Sequence, residues 1–106
     1  MKIYHIVTPE VWEKFKDENE YEAESLTTEK FIHCSYAEQL EGVLQRYYKN
    51  ASKVLVLTLE TEKLTSELTE EPSTGGEIYP HIYGAINAEA IIEIKERQIE
   101  TADELG

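Results

Sequence analysis

A single cysteine, Cys34, leaves no partner for an internal disulfide. Whatever holds this chain together is therefore packing and hydrogen bonding. Long apolar runs are also missing: none approaches the ~20 residues that a membrane helix needs. The first residues, MKIYHIVTPEVW, contain no apolar stretch of the secretory type. A cytoplasmic protein without membrane contact is the expectation. Basic residues are scarce. Lys and Arg number 10 against 22 acids, the formal charge is -12, and Arg46 and Arg97 are the only arginines. Affinity for duplex DNA or long RNA rests on neutralising phosphates with Lys and Arg, so nucleic acid is not an expected partner. A small anion remains compatible, because backbone amides can bind one locally.

What is present suits a globular chain. Hydrophobic residues make up 41% and charged residues 30% of 106 residues, the balance and length of one domain that folds without a structural metal. Residues 1–106 read as a single domain with a loose tail from about 99.

The periodicities predict the elements. Residues 2–7, KIYHIV, read as a strand. Thr8-Pro9-Glu10 marks a helix start, with a cap, a proline at the first position and an acid in the first turn. That helix should reach Phe15 or Lys16, with a polar loop over 17–24 carrying Tyr21. Residues 30–34 read as short and extended. Ser35 and Glu38 match a capping box for a second helix ending near Lys49-Asn50, with Leu40, Val43, Leu44 and Tyr47 facing the core. Residues 53–59, KVLVLTL, predict a strand buried on both faces. A polar, acidic stretch over 61–74 ends in a Pro-Ser-Thr-Gly-Gly turn. Residues 77–83 read as extended, with Pro80 unsuited to a central ladder position. Asn87 can cap one turn over 88–90, and 91–98 alternate like a half-exposed strand. Helices early and strands late predict an α+β fold rather than a doubly wound one.

Three histidines carry most of the chemical interest: His5 in IYHI, His33 in FIHCS and His81 in YPHIYG. Each lies among aromatic or apolar neighbours, although the chain offers many acidic loops. Buried polar groups need a partner or a purpose, and histidine suits both acid–base work and metal binding. One shared site built on the three is the functional reading; three packed histidines are the structural one. Alternation along a strand places Tyr4 and Ile6 opposite His5, and Cys34 opposite His33. His33 and Cys34 are thus poor joint ligands. With no His-x-His or His-x-x-x-His pair, no metal is expected. Cys34 reads as a packed small hydrophobe rather than a nucleophile.

In order, IYHI, Trp12, Tyr21 with Ser25-Leu26, FIHCS, Gln39, a glutamate before Gly-Gly, and YPHIYG resemble the mainly bacterial family called domain of unknown function 952. The resemblance runs from about Lys2 to Ile94. Two positions depart from its pattern: Tyr79 stands where Phe is usual, and Ala85 where Pro is usual. The family in turn resembles a distant branch of the ADP-ribosyltransferase-like fold, which implies small, split, mainly antiparallel sheets, two to three short helices and a cleft that takes NAD as substrate. It also implies a ribose-holding role for His5 and a nicotinamide-facing role for His33. The third catalytic position falls to Glu71, His81 or Tyr83. Ser25, Ser35, Gln39 and Tyr83 would supply further ligand hydrogen bonds. Cleaving the nicotinamide–ribose bond builds positive charge on the sugar, so positioning and charge stabilisation matter most. RNA 2'-phosphate transfer, found in a related branch, would need cations that this chain lacks.

Three readings follow. One is an enzyme of ADP-ribosyl transfer or NAD glycohydrolysis. Another is a non-catalytic module binding a nucleotide or other small ligand. The third is a metal-dependent hydrolase using the three histidines. A carboxylate within reach of His5 and His33 separates the first two.

Overall fold

The computed structural model describes residues 1–73 and 75–99. The expected loose tail falls on residues 100–106 and lies outside them, as does Thr74 of the expected turn. Among the described residues, eight strands and three short α-helices alternate early and give way to strands late, a small α+β domain whose strand pairs are all antiparallel.

The strands form three small sheets. β1 (Lys2–Val7), β4 (Lys53–Glu60) and β8 (Ile91–Gln98) make the first, with β4 in the centre. β3 (Ile32–His33), β6 (Ile78–Tyr83) and β5 (Glu67–Pro72) make the second, with β6 in the centre. β2 (Glu20–Tyr21) and β7 (Ile86–Asn87) form a two-stranded patch.

β4 explains its own composition. One of its faces carries Val54 and Val56, which pack with Ile6 and Leu44. The other carries Leu57 and Leu59, which pack with Ile3 and Val7 of β1 and with Ile32, Cys34 and Ile82 of the second sheet. A strand covered on both sides has no polar face to show, hence the unbroken apolar run. Leu44 belongs to α3 (Leu40–Tyr47), which covers the first face.

α1 (Pro9–Phe15) begins as its residues predict: Thr8 has the extended backbone of a cap and Pro9 opens the helix, although the Thr8 hydroxyl makes no capping bond. The capping box before α3 is displaced by one residue. Ser35 is held in a backbone bridge to Tyr4, with N–H···O distances of 2.7 and 2.8 Å. The turn starts at Tyr36, whose N–H donates to Gln39 Oε1 at 2.9 Å. Spacing alone cannot separate the two registers, because each offers a side-chain oxygen at the right distance. Tyr47, expected in the core, is 72% exposed; Tyr48 packs beneath α3 in its place.

β2 lies inside the expected polar loop over 17–24, α2 (Glu24–Glu29) starts at that loop's last residue, and β5 lies inside the polar stretch over 61–74; none of the three was expected. α2 ends at Lys30, in the left-handed region with φ of 78°. β5 forms within 61–74 because β6 supplies a full ladder from Glu67↔Tyr83 to Pro72↔Ile78. Tertiary pairing overrides weak local propensity there.

Pro80 sits inside the central strand β6, contrary to expectation. Its carbonyl accepts from Cys34 N–H at 3.1 Å, so its backbone polar groups point to the β3 side, where β3 is already ending. In an antiparallel pair one residue's N–H and C=O point to the same neighbour. The missing N–H therefore removes a bond at a strand end and leaves the β5 ladder whole. Gly84 follows for a steric reason: a Cβ there would lie 2.4 Å from Ser66 Oγ, whose hydroxyl is bonded to the Ala85 carbonyl at 2.7 Å. Asn87 has the backbone of a cap for Ala88–Ala90, but its side chain instead ties Thr65 N–H (3.1 Å) and the Lys63 carbonyl (2.9 Å) to β7.

No helix among the described residues is long and apolar enough to cross a membrane.

Candidate functional site

His5 packs inside the core, whereas His33 and His81 belong to the outer face of the second sheet, where His33 is exposed and His81 is buried at 7% exposure. His5 shares the inward face of β1 with Ile3 and Val7 and is buried. Its Nδ1 lies 2.7 Å from the His33 carbonyl and its Nε2 lies 2.8 Å from the Tyr21 hydroxyl. A carbonyl can only accept, so Nδ1 carries the proton and Nε2 accepts from Tyr21 O–H. Both nitrogens are used. Burial drives the His5 pKa down to about 4, which keeps the ring neutral near pH 7. Burial likewise raises the Tyr21 hydroxyl pKa. Tyr21 is in turn held by Trp12 and Phe15 of α1, with ring centroids 6.0 and 5.2 Å away.

His33 and His81 face each other across the ladder. By alternation, Phe31, His33, His81, Tyr83, Thr69 and Glu71 share the outer face of the second sheet, while Ile32, Cys34 and Ile82 point into the core. Phe31 stacks on His81 with centroids 4.0 Å apart and planes inclined by 21°. His33 stands edge-on to both, at 4.9 Å from Phe31 and 5.5 Å from His81, and Tyr83 leans on Phe31 at 5.4 Å. Four rings thus form one cluster, and the His33 side chain is its most open member at 54% exposure.

Two carboxylates border the rings. Glu71 Oε1 lies 2.8 Å from His81 Nδ1 and accepts from Tyr83 O–H at 2.6 Å. The Tyr83 hydrogen bond first, and His81 second, hold the Glu71 carboxyl below the usual range, and the same bond raises the Tyr83 hydroxyl. Glu71 is therefore ionised near pH 7. It fixes the His81 proton on Nδ1, leaving Nε2 to accept when the ring is neutral. Glu29, at the end of α2, meets His33 Nε2 at 3.0 Å.

The remaining candidates lie apart from this cluster. Ser25 donates to the Phe31 carbonyl at 2.8 Å, so it shapes the turn that presents Phe31. Ser35 is buried beside Tyr4. Gln39 is buried and donates to Glu77 Oε2 (2.9 Å) and the Ile78 carbonyl (2.8 Å), anchoring the start of β6. Cys34 is buried in the core, and burial raises its thiol pKa. Neither Glu71 nor Glu77 bonds His5. Phe31, Glu29 and Tyr21 are the residues that sequence reasoning left out of the site. Phe31 is two residues before His33, so strand alternation contained its signal, whereas Glu29 reaches His33 only through the left-handed turn at Lys30.

The three imidazoles do not converge. Among the described residues, no group of three or more His, Cys, Asp or Glu side chains is arranged to hold a metal ion. A half-open cavity of about 160 Å³ lies elsewhere, lined by Trp12, Phe15, Tyr21, Ile91 and Ile94 among others. It touches none of the outer ring cluster. The cluster is a sheet face with polar groups beside its rings, whereas the cavity is walled mainly by apolar side chains.

Comparison with known proteins locates the chain. The model of a family described as protein of unknown function, DUF952, matches residues 6–94. A crystal structure of protein CC0527 from Caulobacter crescentus is similar at 25% identity and a TM-score of 0.81, covering 91% of this chain and 85% of that one. A solution NMR structure of the same protein gives 26% identity and a TM-score of 0.76, covering 96% and 88%. No curated protein matches significantly.

Proposed function

The chain belongs to the DUF952 family, and from that premise we propose that the outer face of β3, β6 and β5 binds a small ligand carrying a flat ring, of the nucleotide or nicotinamide type. The observation that carries this reading is the four-ring cluster of Phe31, His33, His81 and Tyr83, bordered by the ionised Glu71. Stacked and edge-on rings offer a planar ligand apolar contact and orientation together. His33 presents the open ring. Tyr83 and Glu71 face polar substituents of the ligand, such as sugar hydroxyls. Small-ligand sites combine such apolar walls with a few placed polar groups.

A non-catalytic binding module is the better supported form. Ribosyl transfer from NAD, as the ADP-ribosyltransferase-like resemblance implies, would assign His5 to the ribose. His5 has both nitrogens engaged inside the protein. The enzyme reading draws its support from Glu71, a carboxylate able to stabilise a cationic sugar. Metal-dependent hydrolysis by three histidines has no support from their arrangement.

Two-dimensional NMR of labelled protein, titrated with NAD, ADP-ribose and nicotinamide, tests the proposal. Shifts clustered at Phe31, His33, His81 and Tyr83 are expected. Silence at millimolar ligand would separate the cluster from nucleotides altogether. Release of nicotinamide from NAD, abolished in Glu71→Gln, would move the reading from binding to catalysis.

A further inference from the structure

β8 is an edge strand: among the described residues only β4 pairs with it. Its residues 92–96 are exposed without interruption, including Ile92 at 42% and Ile94 at 46%. Exposed apolar edges invite pairing with another chain, and proteins commonly blunt them with charge. The charges here are ordered in a particular way. In an antiparallel pairing of β8 with a second copy about a two-fold axis through Ile94, Ile94 meets the partner's Ile94. Glu93 then meets the partner's Lys95, and Lys95 the partner's Glu93. Shifting the axis by one residue either way sets Glu93 against Glu93 or Lys95 against Lys95. The axis through Lys95 also sets Glu93 against the partner's Arg97, but of the three registers only the one through Ile94 brings no like charges directly opposite each other, and directly opposite like charges are destabilising while opposite charges are favourable.

A second observation points to the same edge. Ile94 lies opposite Leu57, on the face of the first sheet that carries the half-open apolar cavity, and Ile91 and Ile94 form part of that cavity's wall. A second β8 in this register brings the partner's Ile94 alongside, on the same face, where it extends the wall. From the charge order and the apolar edge together we propose that this chain forms a symmetric dimer by joining β8 to β8, giving one continuous six-stranded sheet. Such a two-fold interface uses the same patch on both copies. The outer ring cluster lies on the other sheet, so both ligand faces stay open.

Sedimentation equilibrium over a range of concentrations, at ~0.15 M salt where distant charges are screened, tests this. The chain is expected to sediment at twice its mass. Lys95→Glu should weaken dimerisation by about tenfold or more, by setting acid against acid twice. Adding Glu93→Lys in the same chain should restore it, because the exchanged charges pair again. Circular dichroism checks that each variant is folded. A monomer at all concentrations, an unaffected Lys95→Glu, or a double variant that stays as weak as the single one would each overturn the proposal.

Discussion

His5 and the pair His33–His81 are the same residue type in different settings: His5 and His81 are both buried, but among the described residues only His5 has both nitrogens bonded within the protein. His5 is enclosed, its two nitrogens are saturated by Tyr21 and a carbonyl, and burial keeps it neutral. The outer pair lies on a sheet face among rings and carboxylates, and one member is half open to solvent. A histidine with no free nitrogen can position a fold but has nothing left for a ligand. The comparison teaches that hydrogen-bond saturation, more than burial or neighbouring sequence, separates a structural histidine from a site histidine.

Truncating each side of the comparison should break it unequally. His5→Ala leaves the Tyr21 hydroxyl and the His33 carbonyl without partners and opens a cavity, so it should destabilise by about 3 kcal/mol or more. His33→Ala should change stability by no more than about 0.5 kcal/mol while abolishing the NMR response to ligand. Urea denaturation of both variants measures the contrast. Equal losses would mean that His33 is structural too.

The pH dependence sharpens the same contrast. The folded pKa of His5 is lowered to about 4 from an ordinary 6.5, so between those values the unfolded chain binds the extra proton. Stability contributed by the neutral ring is full above pH 6.5 and falls as pH falls towards 4. The loss should reach about 2 kcal/mol between pH 7 and pH 5. Denaturation midpoints of His5→Gln should lack this component. A wild-type curve flat over that interval would show that His5 is protonated without penalty.

Smaller effects follow from single bonds. Tyr21→Phe removes the donor to His5 Nε2 and should cost about 1–2 kcal/mol, read by thermal unfolding. Gln39→Ala, which frees the Tyr36 N–H and the Ile78 carbonyl, should cost about 1 kcal/mol. Ser35→Ala should cost less than Gln39→Ala, because the cap belongs to Tyr36 and Gln39. The reverse order would restore the Ser35 register.

Much of the scaffold was legible in the sequence because its signals were local. Thr8-Pro9-Glu10 encodes a helix start, and KVLVLTL encodes a strand covered on both faces. β5 was not legible, since ELTEEP has little strand character until β6 supplies its ladder. α2 lay hidden for a similar reason: ESLTTE has neither an apolar stripe nor a cap, and its register depends on the turn at Lys30. For the candidate site, the motifs directed attention to the three histidines. Alternation separated His33 from Cys34. What the motifs could not say is which histidine would find partners inside, because Tyr21 and the His33 carbonyl reach His5 only through tertiary packing. The Glu71–His81–Tyr83 contacts depend in the same way on the unforeseen β5.

The most direct test of this division is a long-range correlation of imidazole nitrogens in the ¹⁵N-labelled protein, recorded while nicotinamide is added. His5 should show a proton on Nδ1 and a bare Nε2, unmoved throughout, while His33 and His81 shift with ligand. A response centred on His5, with the outer pair silent, would contradict the account and return His5 to the ligand.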